Sequence, residues 1–571
     1  MQFSAYKYER PDVNTLLQKT EALCRALSAA ENFAEADAVL ARFHGEREIF
    51  STAAQVAEIR FSQNVADPFY SAENEFMGGS RPLIEESGLR FYRALLASPF
   101  KDDFARKYGD IFIEKLTQQS LSADGRITKL MQEENALCAE FYSISAMSSI
   151  PFMGKNLPAE QLYPYKGHKD RAVRKAAYEA EGRYFLQYKD RLEDIFDRLV
   201  QNRTAQARAL GYKDFSELGV LRMGRLGYGL KEIAAYRAAV KKYWVPAVAK
   251  IKELQRQRLG LDTLKGYDNL LYFPDYNPVP HGSAEDMLKA CDTMMHALGK
   301  ETGEMFEALL KNGMFDLDSR HGKAAGGYCG SVDALRLPFI FSNFNGTTMD
   351  VDVLIHESGH ALAAYEAYKN SIVPELREAS AEVCETHSTA MEMLSMPYHS
   401  LFFREDTDRY DLFLMERTLT YLPGGCAGDE FQTVVYQHPE MTKAERNALW
   451  KELTRTYTPH FADFDDIPLY SDGGDWLMEG QYFVNPFYLV DYGMARNLSL
   501  QLFLQSETEP EKAWERYISF VKLGGTESYI GAAQAAGLKL PFYEENIKNT
   551  IEKMLCWVER QNEKVLSGIR R

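Results

Sequence analysis

Apolar side chains return every three to four positions through most of this chain, the spacing that lines one face of an α-helix. The rhythm runs through Leu16, Leu17, Leu23 and Leu27, then through Phe91, Leu95 and Leu96, with few Gly or Pro inside it. Residues 1–140 therefore read as an N-terminal helical lobe. Between Tyr142 and Gly154 the pattern breaks, and residues 141–200 read as a connecting hairpin followed by helix over Arg171–Leu199. A third unit, residues 201–571, opens with helical spacing over Leu230–Leu254. Its Pro-, Gly- and Asn-rich stretch from Tyr272 to Gly282 reads as a loop, with the next helix starting near Ser283. From Pro510 to Leu566 the pattern is helical again, interrupted at Gly524, Gly525 and Gly537. No internal repeat or low-complexity segment occurs.

One of these helical runs, Asp352 to Tyr365, contains His356-Glu357-Ser358-Gly359-His360. Positions i and i+4 of a helix lie one above the other, so His356 and His360 present two imidazoles to one point. That is two of the three protein ligands of an open zinc site, and Glu357, one step round the helix, can reach a water held there. After a turn at Pro374, Leu376, Ala379, Val383, Met391 and Leu394 mark a second helix. Glu378, Glu382 and Glu385 fall near one face of it, and antiparallel packing would set a carboxylate opposite the imidazoles. Periodicity does not choose among the three. A closed structural site would need a fourth ligand, for which His387 is the nearby candidate, but helix geometry points it about 200° away from Glu385.

The chain resembles the oligoendopeptidase F and thimet oligopeptidase family of zinc peptidases. That family carries HExGH and, on the next helix, a ligand Glu followed by Ser at +3 and Glu at +7, a pattern met here by Glu385, Ser388 and Glu392. The likeness continues through Gly326–Cys329, Pro338–Thr347, Gly428–Pro439, Pro486–Tyr492 and Leu523–Gly525. It implies one Zn2+ per chain held by His356, His360 and Glu385, with Glu357 as general base. It also implies a mainly α, gluzincin-type helical peptidase whose two lobes enclose a deep substrate channel, with a small β element beside the metal helix. Such a channel admits short unstructured peptides. Tyr488 and Tyr492 would take the transition-state role that the family gives to tyrosines in this segment. The family's usual histidine shortly before them is missing: this chain reads Gly480-Gln481-Tyr482-Phe483, and no histidine follows His460. Gln481 or Tyr482 is the expected substitute donor.

Between the glycines and the first metal helix, Leu335 to Gly346 carries aromatic and β-branched residues ending in turn chemistry. It reads as an edge strand able to pair with an extended peptide, with Phe341, Asn343, Phe344 and Gly346 as candidate contacts. An ordinary buried strand fits the same pattern. Gly326 and Gly327 suit close approach of backbone to a ligand, or a plain turn. Metal-bound imidazoles need acceptors on their other nitrogen, for which Asp352, Glu382 and Glu392 are candidates.

Composition then narrows the partners. Apolar residues make up 45% and charged residues 26% of 571, ample for a core. The net charge of −16, with no basic tract, sets nucleic acid aside. No apolar run of about 18 residues or more is present to span a membrane, and Met1–Arg10 lacks the pattern of a signal peptide. Seven cysteines without a CxxC fit reduced thiols, with Cys384 an inert buried one beside Glu385. The expectation is a cytoplasmic zinc oligoendopeptidase cutting internal bonds of short peptides, as monomer or dimer. Two alternatives stand beside it. A peptidyl-dipeptidase of the same fold would need a cationic clamp that no sequence pattern supplies. A catalytically silent peptide-binding homologue would suit the missing histidine but not an intact HExxH.

Overall fold

Helices form most of the chain, as their periodicity predicts; the computed structural model describes residues 2–146, 148–324 and 326–569. In the N-terminal lobe, α1 (Phe33–Gln63) starts where the Asn32 side chain accepts from the Glu35 amide. Helix α2 (Pro68–Leu96) starts at Asp67, which accepts from the amides of Phe69 and Tyr70, with Pro68 at the first position, where no amide is needed. With α3 (Asp110–Ser122) they bury Leu40, Phe43, Phe91, Leu95, Phe112 and Leu116 in a core of their own. The rings of Phe43 and Phe91 stack at 3.9 Å.

The predicted break is a hairpin, β1 (Ile150–Phe152) paired antiparallel with β2 (Lys155–Leu157). Helix α4 (Arg171–Leu210) then runs 40 residues into the large core shared by everything downstream, ending at Gly211 in the left-handed conformation (φ 94°). The helix expected near Ser283 is capped by that residue, whose side chain accepts from the Asp286 amide. Among the described residues, no helix is long and apolar enough to cross a membrane.

A three-stranded sheet precedes the site helices: β3 (Phe315–Asp318), β4 (Tyr328–Val332) and β5 (Leu337–Phe344), in the order β3-β5-β4. Strand β5 pairs parallel with β3 and antiparallel with β4. The expected edge strand is thus the central one, and β4 is an edge. The run from Leu337 to Phe344 is apolar and buried at most positions, a composition that suits a strand whichever neighbours flank it.

Behind the sheet lie α5 (Thr348–Lys369) and α6 (Ala381–Leu394), then α7 (Thr407–Gln437) and α8 (Leu489–Ser506), with α6 packed against both α5 and α8. The link between α5 and α6 is tied to the N-terminal lobe. Glu375 accepts from the Tyr92 hydroxyl at 2.7 Å, lies 2.9 Å from His44 Nε2 and 3.6 Å from Arg47, and its side chain is buried. Burial opposes its charge, but His44, Arg47 and Tyr92 outweigh that and bring the carboxyl to about 2. Glu375→Gln should therefore cost about 3 kcal/mol by leaving its partners unpaired, measured by urea unfolding at neutral pH. The folded carboxyl lies below the unfolded value of about 4.3, so this contribution is present above that pH and fades as pH falls toward about 2. A gap between wild type and variant that stayed constant on acidification would contradict this.

Candidate metal centre

Strand β5 delivers the chain into α5 through Asn345 and Gly346, whose amides donate to the Asp350 carboxylate at 2.8 and 2.7 Å. Gly346, at φ 82°, makes this turn; its amide is spent on the helix start and is not free for a ligand. Two turns on, His356 and His360 stand edge to face with ring centres 4.9 Å apart. Helix α6 lies across them close enough that a Cβ on Gly359 would sit 2.6 Å from Ser388 Cα. This contact brings Glu385 to the imidazoles: its Oε2 is 3.3 Å from His356 Nε2 and 3.9 Å from His360 Nε2. One donor atom from each of the three lies within 4.8 Å of the others.

The donors have the chemistry of a zinc site. Burial, opposed by Glu385 and helped by His356, pushes His360 down to about 4, so it keeps a neutral imidazole with a lone pair. Burial works against charge on Glu385 as well, but the two imidazoles and the Tyr488 hydroxyl, 2.5 Å from Oε1, prevail and bring it to about 2. His356 would be lowered by burial, yet Glu385 and Glu392 raise it well above the usual value, so the pocket between the carboxylates favours a cation. Glu392 takes the other nitrogen, with Oε1 2.6 Å from Nδ1 of His356, which leaves Nε2 facing Glu385. Two imidazole nitrogens and one carboxylate oxygen, arranged around a common point, match the donors of an open zinc site.

Of the other two candidates for that supporting part, neither touches an imidazole. Asp352, one turn before His356, is occupied by Tyr410 and Arg417. Glu382 accepts from Ser380 Oγ at 2.8 Å and faces buried Arg225 and Tyr228, a cation that draws it away from the imidazoles. Glu378 lies outside α6, at the end of the short turn Pro374–Arg377. His387 borders the same cleft, but its ring packs on Phe520 at 5.3 Å and is not among the clustered donors.

Glu357 is buried in the same cleft; burial, reinforced by Glu385 and Glu392 and opposed by His356, raises its carboxyl to about 7. Opposite it, Tyr488 and Tyr492 pack edge to face at 5.1 Å. Tyr488 is aimed there by a strained backbone: Phe487 has φ 72°, and Arg225 and Gln432 hold its carbonyl and amide. Nothing in the sequence signals that conformation.

These groups line a cleft of about 630 Å³, walled on one side by the start of β4 and on another by Arg47, Ser51 and Gln55, spaced four apart along α1. A second cavity of about 660 Å³ shares Arg47, Ser51, Gln55 and Ser331 with it. The strand bordering the cleft is β4, and this corrects the expected contacts. Phe341 is buried under Lys323, whose amine lies 4.4 Å from its ring centre. Phe344 belongs to the core, and Asn343 donates to the carbonyls of Ala324 and Gly326 at 2.7 and 2.8 Å. Gly327 does line the cleft; a Cβ there would meet Val353 at 2.9 Å, so the strand needs glycine to lie this close to α5. Gly326, at φ 87°, turns the chain into β4. Gln481 lies outside the cleft, its side-chain oxygen accepting from Asn485 at 3.0 Å. Tyr482 is buried against Phe431 and Trp450. Neither replaces a histidine at the site.

Comparison with known proteins agrees in extent with this architecture. Residues 3–123 match the Peptidase M3 N-terminal domain, and residues 165–287 and 294–550 match Peptidase family M3. The chain is 26% identical to Oligopeptidase PepF of Bacillus subtilis over 525 residues, 85% of this chain and 74% of that protein. It is 24% identical to an oligoendopeptidase F homologue of Borreliella burgdorferi over 330 residues, 55% of this chain and 53% of that one. Among solved structures, PZ peptidase A with an inhibitor superposes with a TM-score of 0.95 at 34% identity, covering 98% of this chain and all of that one. Oligoendopeptidase-F from Enterococcus faecium shares the fold at a TM-score of 0.63 and 15% identity, over 97% and 98% of the two chains.

Proposed function

The chain belongs to peptidase family M3, and from that premise we propose that it is a Zn2+-dependent, cytoplasmic oligoendopeptidase cutting internal bonds of short unstructured peptides. It is a metallopeptidase; the zinc, the bond cut and the role of each residue are our reading. The observation that carries it is the convergence of His356, His360 and Glu385 beside Glu357 in a cleft between the lobes.

A zinc ion held by those three residues would supply Lewis acidity to the scissile carbonyl and to the attacking water. The remaining steps fall to the chain. Glu392 fixes the tautomer of His356, leaving Nε2 to the metal. Glu357, poised near neutrality, takes a proton from the water and returns it to the leaving amine. Tyr488 and Tyr492 donate to the oxygen that gains charge in the transition state. The cleft-facing edge of β4 pairs with the peptide main chain, a grip that does not depend on side chains. We divide the chain as an N-terminal lobe over 1–140, a connecting segment over 141–200 and a catalytic unit over 201–571.

The test uses a quenched-fluorescent peptide of about ten residues and a folded protein containing the same segment, with chelator present or absent. The peptide should be cut and the folded protein spared. A chelator should abolish cleavage and one equivalent of zinc restore it. Cleavage that persists after the metal is removed would refute the reading.

A further inference from the structure

Tyr488, Tyr492 and Arg496 follow one another at i, i+4 and i+8 at the start of α8. The guanidinium carbon of Arg496 stands 4.1 Å from the centre of the Tyr421 ring on α7 and 5.4 Å from that of Tyr492. Those two rings meet edge to face at 6.0 Å. Nε and Nη1 of Arg496 are buried, with no hydrogen-bond partner among the described residues. Arg496 also pairs with the Tyr421 hydroxyl and lies near the Glu392 carboxylate, but two buried donors left without acceptors are costly, so stability alone does not account for the residue. Its planar face is instead spent on the tyrosines, as guanidinium groups stack on aromatic rings. Tyr492 lines the cleft beside His356 and Glu357. The segment where a histidine would be expected supplies no cation there, since Gln481 is turned to Asn485.

We infer that Arg496 is a positioning residue for peptide hydrolysis, clamping Tyr492 against Tyr421 and setting a fixed positive charge behind the hydroxyl that meets the developing oxyanion. The inference rests on the peptidase reading above. It requires no proton transfer by Arg496 and no contact with the peptide.

Kinetics on one quenched-fluorescent peptide test it, with zinc content measured on each sample. Arg496→Gln should lower kcat about 10- to 100-fold, with KM within about twofold and zinc retained. In a Tyr492→Phe background the same change should alter kcat by less than about threefold, because the hydroxyl it serves is gone. Arg496→Lys, which keeps the charge but not the plane, should lose less than Gln. Equal losses in both backgrounds overturn the inference, as does an Arg496→Gln effect expressed in KM or as lost zinc. If the Gln variant does not fold, Arg496→Lys carries the same comparison between backgrounds. A wild type that cleaves no peptide sinks the peptidase reading instead, which keeps the two failures apart.

Discussion

Replacing Glu357 with Gln should reduce kcat by about a thousandfold or more while zinc stays bound at one per chain. The substitution keeps the size of the side chain and leaves His356, His360 and Glu385 in place. It removes the group whose carboxyl, raised to about 7 by burial and by its neighbours Glu385 and Glu392, can both accept and return a proton near neutral pH. Glutamine can do neither. Binding should be nearly intact, because the cleft walls formed by β4 and α1 do not involve Glu357, so the loss should appear in kcat rather than KM. The measurement is steady-state cleavage of a ten-residue peptide together with metal analysis of the same samples. A variant within about tenfold of wild type would remove Glu357 from the proton path. A variant that has lost its zinc would mean that the side chain supports the ion instead.

Gly359→Ala should be nearly as damaging, though the residue carries no chemistry. Two effects compete. Alanine in a helix is favoured over glycine by about 1 kcal/mol. Against that, the new Cβ would lie 2.6 Å from Ser388 Cα, 2.7 Å from His387 O and 3.0 Å from Ser388 N. All three are backbone atoms of α6, so no side-chain rotation relieves the contact and the helices must part. Overpacking of this kind costs about 3 kcal/mol or more, so the clash wins. Since Glu385 lies one turn from the contact, separation should also weaken zinc binding by at least about tenfold. Chemical denaturation and competition with a chromogenic chelator read the two losses. A more stable variant with unchanged affinity would show that propensity outweighs the contact.

Much of the site was legible because helices repeat locally. The spacing of His356 and His360 suffices to put their rings together, and the loop ending at Gly282 locates the helix start at Ser283. Periodicity left Glu378, Glu382 and Glu385 equivalent. They differ in what lies opposite, two imidazoles for Glu385 and buried Arg225 for Glu382. The sheet was misread for a related reason, since the apolar run in β5 reports burial and not which strands flank it. Long-range ties were invisible: the partners of Glu375 are 283 and 331 residues away along the chain. The left-handed Phe487, which aims Tyr488, carries no sequence mark because glycine would be the usual residue there.

The place of β4 leaves one side of this strand without a strand partner among the described residues. An unpaired strand edge invites a second copy of the same protein to add its own strand, and proteins blunt such edges with charge, bulges or a covering element. Here Gln55 of α1 lies over Gly330, where a Cβ would meet its side-chain nitrogen at 2.6 Å, and Arg47 and Ser51 continue the roof. A strand already built into a sheet would have to bring its neighbours under this roof, whereas a single extended chain would not. The helix that narrows the cleft is thus a covering element for this strand edge, one of the devices that blunt strand-to-strand association.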